Sequence, residues 1–257
     1  MKSICYSFSL INFARYSKKV SFMKKSVFLA VIGVLFALQP VFSQVKPFRF
    51  GLKVAPNIGW ISPDSDEYEM DGSVPGFSWG FISDFTITEN YFFGTGFNVS
   101  YINGKLNYPH QQTIGEDTVL VVGTLNRTYN LRYIDIPLTL KMKTNKFGSM
   151  QYYGQIGFSA GVNIKAKSQD EFSYEVDNYY ENVSSKHNIS DDVTQFKGSM
   201  VLGAGLEYYL DNSTSIIAGI TYFNGLSNIL KGDNTVDPMI SQKAVPHYIE
   251  ITLGVIF

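Results

Sequence analysis

From Tyr133 the chain alternates. Ile134, Ile136, Leu138, Leu140 and Met142 are apolar, and Tyr133, Asp135, Pro137, Thr139 and Lys141 stand between them. A period of two belongs to a β-strand, whose successive side chains point to opposite faces. After a short polar connection the pattern resumes: Tyr152, Ile156, Phe158, Ala160, Val162 and Ile164 share one face, and Tyr153, Gln155, Gly157, Ser159, Gly161, Asn163 and Lys165 the other. The pair reads as a hairpin. Both arms reach the roughly 9 to 11 residues of a tilted membrane strand, beyond the ~5 to 6 of most soluble strands.

Six more segments alternate in the same way, at about 48–55, 76–87, 91–102, 197–210, 215–223 and from about 246 to Phe257. Phe48, Phe50, Leu52 and Val54 oppose Arg49, Gly51, Lys53 and Ala55 in the first. Ile249, Ile251, Leu253, Val255 and Phe257 oppose Tyr248, Glu250, Thr252, Gly254 and Ile256 in the last. The connections run long, short, long, short, long, short, long. The long ones are 59–75, 103–127, 168–196 and 224–245, and the predicted fold is all-β, an eight-stranded antiparallel up-and-down transmembrane β-barrel. Both termini then lie at the short-turn end, and strands one and eight pair to remove the free edges that lipid does not tolerate. Pro137 lacks a ladder donor, so a local bulge is expected there.

The stretch YIDIPLTLKMKTN with YYGQIGFSAGVNIK, residues 133–165, resembles the small outer-membrane β-barrel proteins of the PorT type from Gram-negative bacteria. The resemblance covers about a seventh of the chain. It implies an eight-stranded outer-membrane barrel and, for PorT itself, a part in protein secretion across the envelope. It carries over no catalytic residue.

The amino-terminal region has a separate character. Met23-Lys24-Lys25 precedes an uninterrupted apolar run at 27–38, and Val41-Phe42-Ser43 precedes Gln44, so residues 1–43 read as a secretory signal peptide cleaved near Ser43. The apolar run is too short for a membrane helix. Residues 1–22 lie ahead of a second plausible start at Met23 and read as an extension, a longer leader being the alternative. The barrel domain is then 44–257. Cleavage removes six of the 21 basic residues and none of the 22 acidic ones, leaving about −7 and arguing against nucleic acid as a partner. The single cysteine, Cys5, goes with the leader, so the exported chain forms no disulfide.

Alternation leaves open which face meets the solvent, and a soluble lipocalin-like barrel alternates too. Three features favour lipid on the apolar face. Ten glycines (51, 80, 94, 96, 157, 161, 203, 205, 219 and 254) fall on the more polar face, as a narrow filled interior requires. Tyr91, Phe93, Tyr152, Tyr208, Phe48 and Phe257 gather at the short-turn end, with Trp79, Tyr101 and Tyr222 toward the loop end, as two aromatic girdles. The terminal Phe257, on the last strand, resembles the signal read by barrel-insertion machinery. Only 17% of residues are charged, against about a quarter in typical domains.

The chemistry expected is modest. Lys53, Asp84, Asp135, Lys141, Gln155, Asn163, Lys165, Glu207 and Glu250 fall on the inward face, where they should pair and fix the register. Lys53 and Glu250 are expected to meet across the closing seam. His110, His187 and His247, with Ser241, show no spacing of a nucleophile elbow or metal site, so no catalytic, cofactor or metal residues are assigned. The acidic run Asp64, Asp66, Glu67, Glu69, Asp71 lacks the full spacing of a calcium loop and reads as solvated. Phe172, Tyr174, Tyr179 and Tyr180 lie among charges in the third loop, as in a surface that binds a protein partner. The reading is a non-enzymatic outer-membrane protein working through surface loops, with an accessory role in secretion implied by the resemblance. A small lipid-modifying or proteolytic enzyme and a narrow pore are the alternatives.

Overall fold

The computed structural model describes residues 47–257, except 115–118, 177–178 and the side chains of 176, 179 and 180; the expected signal peptide lies outside the described residues. The strands are β1 (Phe48–Pro63), β2 (Glu69–Thr86), β3 (Tyr91–Ile114), β4 (Val119–Lys143), β5 (Met150–Val176), β6 (Tyr179–Asn188), β7 (Phe196–Tyr209), β8 (Ser215–Gly225) and β9 (Ala244–Ile256). Eight of them form an antiparallel ring, β1-β2-β3-β4-β5-β7-β8-β9, closed from β9 back to β1. The seam runs from Gly51 opposite Ile256 to Pro63 opposite Ala244. The ninth, β6, pairs with the upper part of β5, beyond the point where β5 leaves β7.

Inside and outside follow the alternation. Leu52, Trp79, Phe81, Leu138, Phe158 and Ile220 point outward and stay 39–62% exposed, while Asp84, Asp135, Glu207 and Glu250 point inward and are buried. A soluble protein does not leave so continuous a greasy belt in water while burying its carboxylates. Hydrocarbon is the solvent that suits this arrangement, and the arrangement does not favour the soluble barrel with a greasy pocket. Glycines make the interior fit. The phenol of Tyr153 lies across Gly205 and Gly219, and a Cβ on either would collide with it.

Strands β3 and β4 are much longer than expected. The segment 103–127, expected as a loop, continues the β3–β4 hairpin from Asn103 opposite Asn130 to Ile114 opposite Val119. In this upper part the greasy face changes sides. Below it, Ile134 and its even-numbered neighbours face out. Above it, Tyr133, Leu131, Tyr129 and Leu125 face in and are at most 1% exposed. The backbone has not slipped; the surroundings have changed from lipid to water, and the side chains that avoid water are now those inside.

The expected bulge at Pro137 is absent. Pro137 sits opposite Ser159 in unbroken register with β5. On the other side the offset between Thr95–Leu138 and Asn98–Asp135 is also unchanged. The missing proline donor therefore leaves a gap in the β3–β4 ladder opposite Gly96 without an extra residue. A bulge lies instead at Ile164, where Arg132 opposes Lys165 but Tyr133 opposes Asn163. An inserted residue reverses every later side chain. Lys165 is thus exposed, correcting its expected inward position, and Ala166, Ser168, Asp170, Phe172 and Tyr174 turn inward. Phe172 and Tyr174 are not on the surface, as expected from the sequence, but buried at 1% and 6%.

Deleting Ile164 removes the extra residue and should leave Arg132 opposite Lys165 and Arg127 opposite Asp170 in an unbroken ladder. The expected cost is no more than about 1–2 kcal/mol, measured by urea unfolding of the refolded protein in detergent. A loss of ~5 kcal/mol or more, as expected if Asp170 turned outward and left Arg127 buried without its carboxylate, would contradict this assignment of the bulge.

Candidate functional site

The barrel interior has two storeys. At the short-turn end, Glu207 on β7 receives Arg49 from β1, Ser215 from β8, and Lys143 of β4 at 2.6 Å. Lys141, next inward on β4, donates to both oxygens of Asp84 on β2 at 2.7 and 2.8 Å. Tyr209 donates to Gln151 at 2.8 Å, tying β7 to β5. One level up, Lys53 is ion-paired with Glu250 across the seam, and Gln155 donates to Thr221 at 3.2 Å. Asp135 faces Lys197 at 2.7 Å, an ion pair rather than an aligned hydrogen bond. Among the described residues, every inward cation of this storey has a carboxylate partner.

The structure thus brings Lys53, Asp84, Asp135, Lys141, Gln155, Glu207 and Glu250 into the lumen and adds Arg49, Lys143 and Lys197. The three additions were legible in part. Arg49 shares the parity of Lys53, Lys143 that of Lys141, and Lys197 stands at the head of an alternating run. Asn163 is half-buried beside the bulge and donates weakly to the carbonyl of Lys165. A cavity of about 50 Å³, bordered by Lys53, Asp84, Thr139, Tyr153 and Glu250, has room for a few water molecules.

Lys197 marks the ceiling of the polar storey, with the rings of Tyr133 and Tyr248 at 4.9 and 5.4 Å. Above it the lumen is packed with apolar groups, including Ile61, Ile102, Leu106, Leu131, Phe172 and Ile229. One ion pair is embedded in this plug: Arg127 grips Asp170 through two hydrogen bonds of 2.9 and 2.7 Å. Tyr68 stacks on Tyr108 at 4.4 Å, and burial pushes the Tyr68 phenol up to about 12.

The histidines do not assemble a catalytic group. His110 meets Thr235 at 2.9 Å, and burial together with the charge of Arg127 pushes its ring toward the neutral form. His187 lies 2.8 Å from Ser185 and 4.0 Å from Asp170, but through the same nitrogen, Nε2. A serine–histidine–carboxylate relay needs both ring nitrogens, and Asp170 is committed to Arg127. His247 stacks on Trp60 at 5.7 Å and near Tyr222 on the outward face, away from Ser241, which donates to Asp233. Trp60 belongs to the loop-end girdle, in a segment expected as loop. Among the described residues, no three histidine, cysteine or acidic side chains converge as a metal site needs. The side chains of Tyr179 and Tyr180 lie outside the described residues.

A family model described as "Outer membrane protein beta-barrel domain" matches residues 39–231. No curated protein matches the sequence. Among solved structures, OprG from Pseudomonas aeruginosa is similar at 12% identity, covering 82% of this chain and 97% of that one, with a TM-score of 0.44. Neisserial surface protein A follows at 13% identity, 82% and 96% coverage and a TM-score of 0.39. Ail, the attachment invasion locus protein of Yersinia pestis, is similar at 16% identity, 82% and 100% coverage and a TM-score of 0.35. Likeness at this level carries nothing about function.

Two measurements check the interior and its turns. Glu207→Gln leaves Arg49 and Lys143 without their shared carboxylate and should cost about 3–5 kcal/mol in urea unfolding; a loss within experimental error would refute the lattice. At the β7–β8 turn, hydrogen bonds from the backbone N–H groups of Ser213 and Thr214 hold the Asp211 carboxyl down to about 2. Its contribution to the turn is present above the ordinary aspartate range and lost as pH falls through about 2. Carbon NMR of the Asp211 carboxyl should show that low midpoint, and an ordinary one near 4 would contradict it.

Proposed function

The chain belongs to the outer membrane protein beta-barrel domain family, and from that premise we propose that it is a non-enzymatic barrel working through its extracellular rim as an accessory of protein secretion. The observation that carries the rim reading is the filled lumen. Ion pairs occupy the lower storey and an apolar plug the upper one, so the barrel offers its surface rather than a passage. The secretion role is supported by the resemblance of residues 133–165 to the PorT type.

The working element on this reading is the flap formed by the upper parts of β3, β4, β5 and β6. It rises above the β2–β3 pairing, which ends at Glu69 opposite Asn107. With Phe172 and Tyr174 turned inward, its exposed apolar groups are Val119, Leu120, Val122 and Val183, 37–60% exposed. Acidic Glu171, Glu175 and Glu181 stand near them on the exposed side. Greasy side chains rimmed by charge suit docking of a protein partner. The short turns face the periplasm, as the loop asymmetry of outer-membrane barrels requires.

Two experiments test this proposal. Because residues 44–257 contain no cysteine, single cysteines replacing Val122 or Ser184 should react with an impermeant thiol reagent on whole cells, while cysteines at Asn90 or Ser213 should not. The reverse pattern overturns the orientation. Val119→Ser, Leu120→Ser and Val122→Ser together should leave the folded barrel intact and reduce secretion severalfold in cells. Undiminished secretion would remove the flap from the proposal.

A further inference from the structure

Three adjacent strands reach the top of the greasy belt together, and each turns basic there. On the outward face of β4, apolar side chains run from Met142 to Ile134, and the next outward residue is Arg132. On β5 they run to Ile164, where the bulge presents Lys165 and then Lys167 to the outside. On β3 they end at Tyr101, with Lys105 two outward positions further on. The register places Tyr101 opposite Arg132 and Arg132 opposite Lys165, with Lys167 opposite Asn130 in the row above. Neighbouring strands are ~4.8 Å apart, so these cations share a patch about 10 Å across.

The patch lacks internal compensation. Arg132, Lys165, Lys167 and Lys105 appear in none of the ion pairs among the described residues, whereas the cations of the lumen are paired. Acidic side chains enter the outward face of β5 only at Glu171, three rows above Lys165. The Arg132 guanidinium lies 4.5 Å from the centre of the Tyr101 ring, and its Nε is buried with no acceptor. A buried donor without a partner is costly, and the ring holds it in place for an incoming oxygen. Beside it is a shallow recess of about 230 Å³ bordered by Tyr101, Arg132, Lys165 and Lys167.

The height of the patch identifies the occupant. It lies at the row where the greasy face of β4 changes from outside to inside, which is the level where hydrocarbon gives way to headgroups. Phosphate is the anion found at that level, and a guanidinium with two ammonium groups matches its oxygens. We propose that the outer wall of β3, β4 and β5 binds a phosphate of a phosphorylated glycolipid headgroup in the outer leaflet, with Arg132, Lys165 and Lys167 as its ligands. The bulge at Ile164 builds the site, because an unbulged strand of the same sequence would place Lys165 on the inward face with Asn163. Elsewhere on the wall, the corresponding level is taken by neutral Trp60, Tyr222 and the His247 ring, so the site is local to these strands.

The test is native mass spectrometry of the refolded protein in neutral detergent, titrated separately with diphosphorylated lipid A, dephosphorylated lipid A and inorganic phosphate. Wild type should bind the diphosphorylated lipid well above the dephosphorylated one. A basic residue at an anionic surface contributes about fivefold, so Arg132→Gln, Lys165→Gln and Lys167→Gln together should weaken binding on the order of a hundredfold. Lys243→Gln, on an exposed loop, should change nothing, and Arg132→Lys, which keeps the charge but loses the Nε donor and the stack on Tyr101, should recover only part of the affinity lost in Arg132→Gln. Heat-dependent gel mobility confirms that each variant is a folded barrel. Equal binding of the two lipids, or of the triple variant and wild type, overturns the proposal. Displacement of the lipid by an equal concentration of inorganic phosphate, or by a soluble polysulfated saccharide, overturns the lipid source.

Discussion

A peptide group carried into hydrocarbon without a hydrogen-bond partner costs several kcal/mol, and a sheet has such groups along both edges. The ring β1-β2-β3-β4-β5-β7-β8-β9 removes the edges at membrane depth by joining β9 to β1 over the span from Gly51 to Pro63. Everything else follows from that closure. A closed ring of eight strands has a lumen just wide enough for side chains, so the lumen must be filled, and the outward positions are left for lipid. Where the ring rises out of the membrane, water restores the ordinary preference and the apolar side chains move inside. Free edges reappear there too, on β6 and on the top of β3, where water can satisfy them.

The filling of the lower storey is ionic, and this needs a reason beyond stability. Replacing a buried ion pair with packed hydrocarbon is often neutral or favourable, whereas losing one partner is expensive. In a barrel whose outside is already greasy, a greasy inside would make the two faces of each strand interchangeable. Pairing slips by one residue would then cost little. Charges inside make such slips prohibitive. Lys53 with Glu250 marks the seam, Lys141 with Asp84 links β4 to β2 over the inner face of β3, and Glu207 gathers β1, β4 and β8. The lattice therefore works as a key to register, set within a sheet that lipid confines to closure.

Within the membrane this logic is legible in the sequence. Alternation from Tyr133 to Lys165, short turns at 87–90 and 210–214, and inward glycines give the strand number, the closure and the Lys53–Glu250 pair. Above the membrane the same rule misleads. From Leu125 to Tyr133 the apolar residues are odd-numbered, whereas from Ile134 to Met142 they are even-numbered. Read with one rule, the first stretch looks unpatterned, though it is an equally regular strand in another solvent. On β5 the bulge at Ile164 cancels the change, so Phe172 and Tyr174 keep the parity of Phe158 and look outward-facing when they are inside. Neither an inserted residue nor a change of solvent leaves a mark in composition. The basic row at Arg132 and Lys165 depends on both and emerges with the register.

The central claim is that outward side chains of the lower storey touch hydrocarbon while inward ones of the upper storey are sealed from lipid and water alike. Single-tryptophan proteins test it directly, with Trp60 and Trp79 replaced by phenylalanine and the reporter placed at Leu138 or Tyr129. In vesicles of brominated phosphatidylcholine, the reporter at 138 should be strongly quenched by the bromines and spared by aqueous iodide, and the reporter at 129 should be spared by both. Iodide quenching at 138, or bromine quenching at 129 equal to that at 138, would contradict the account.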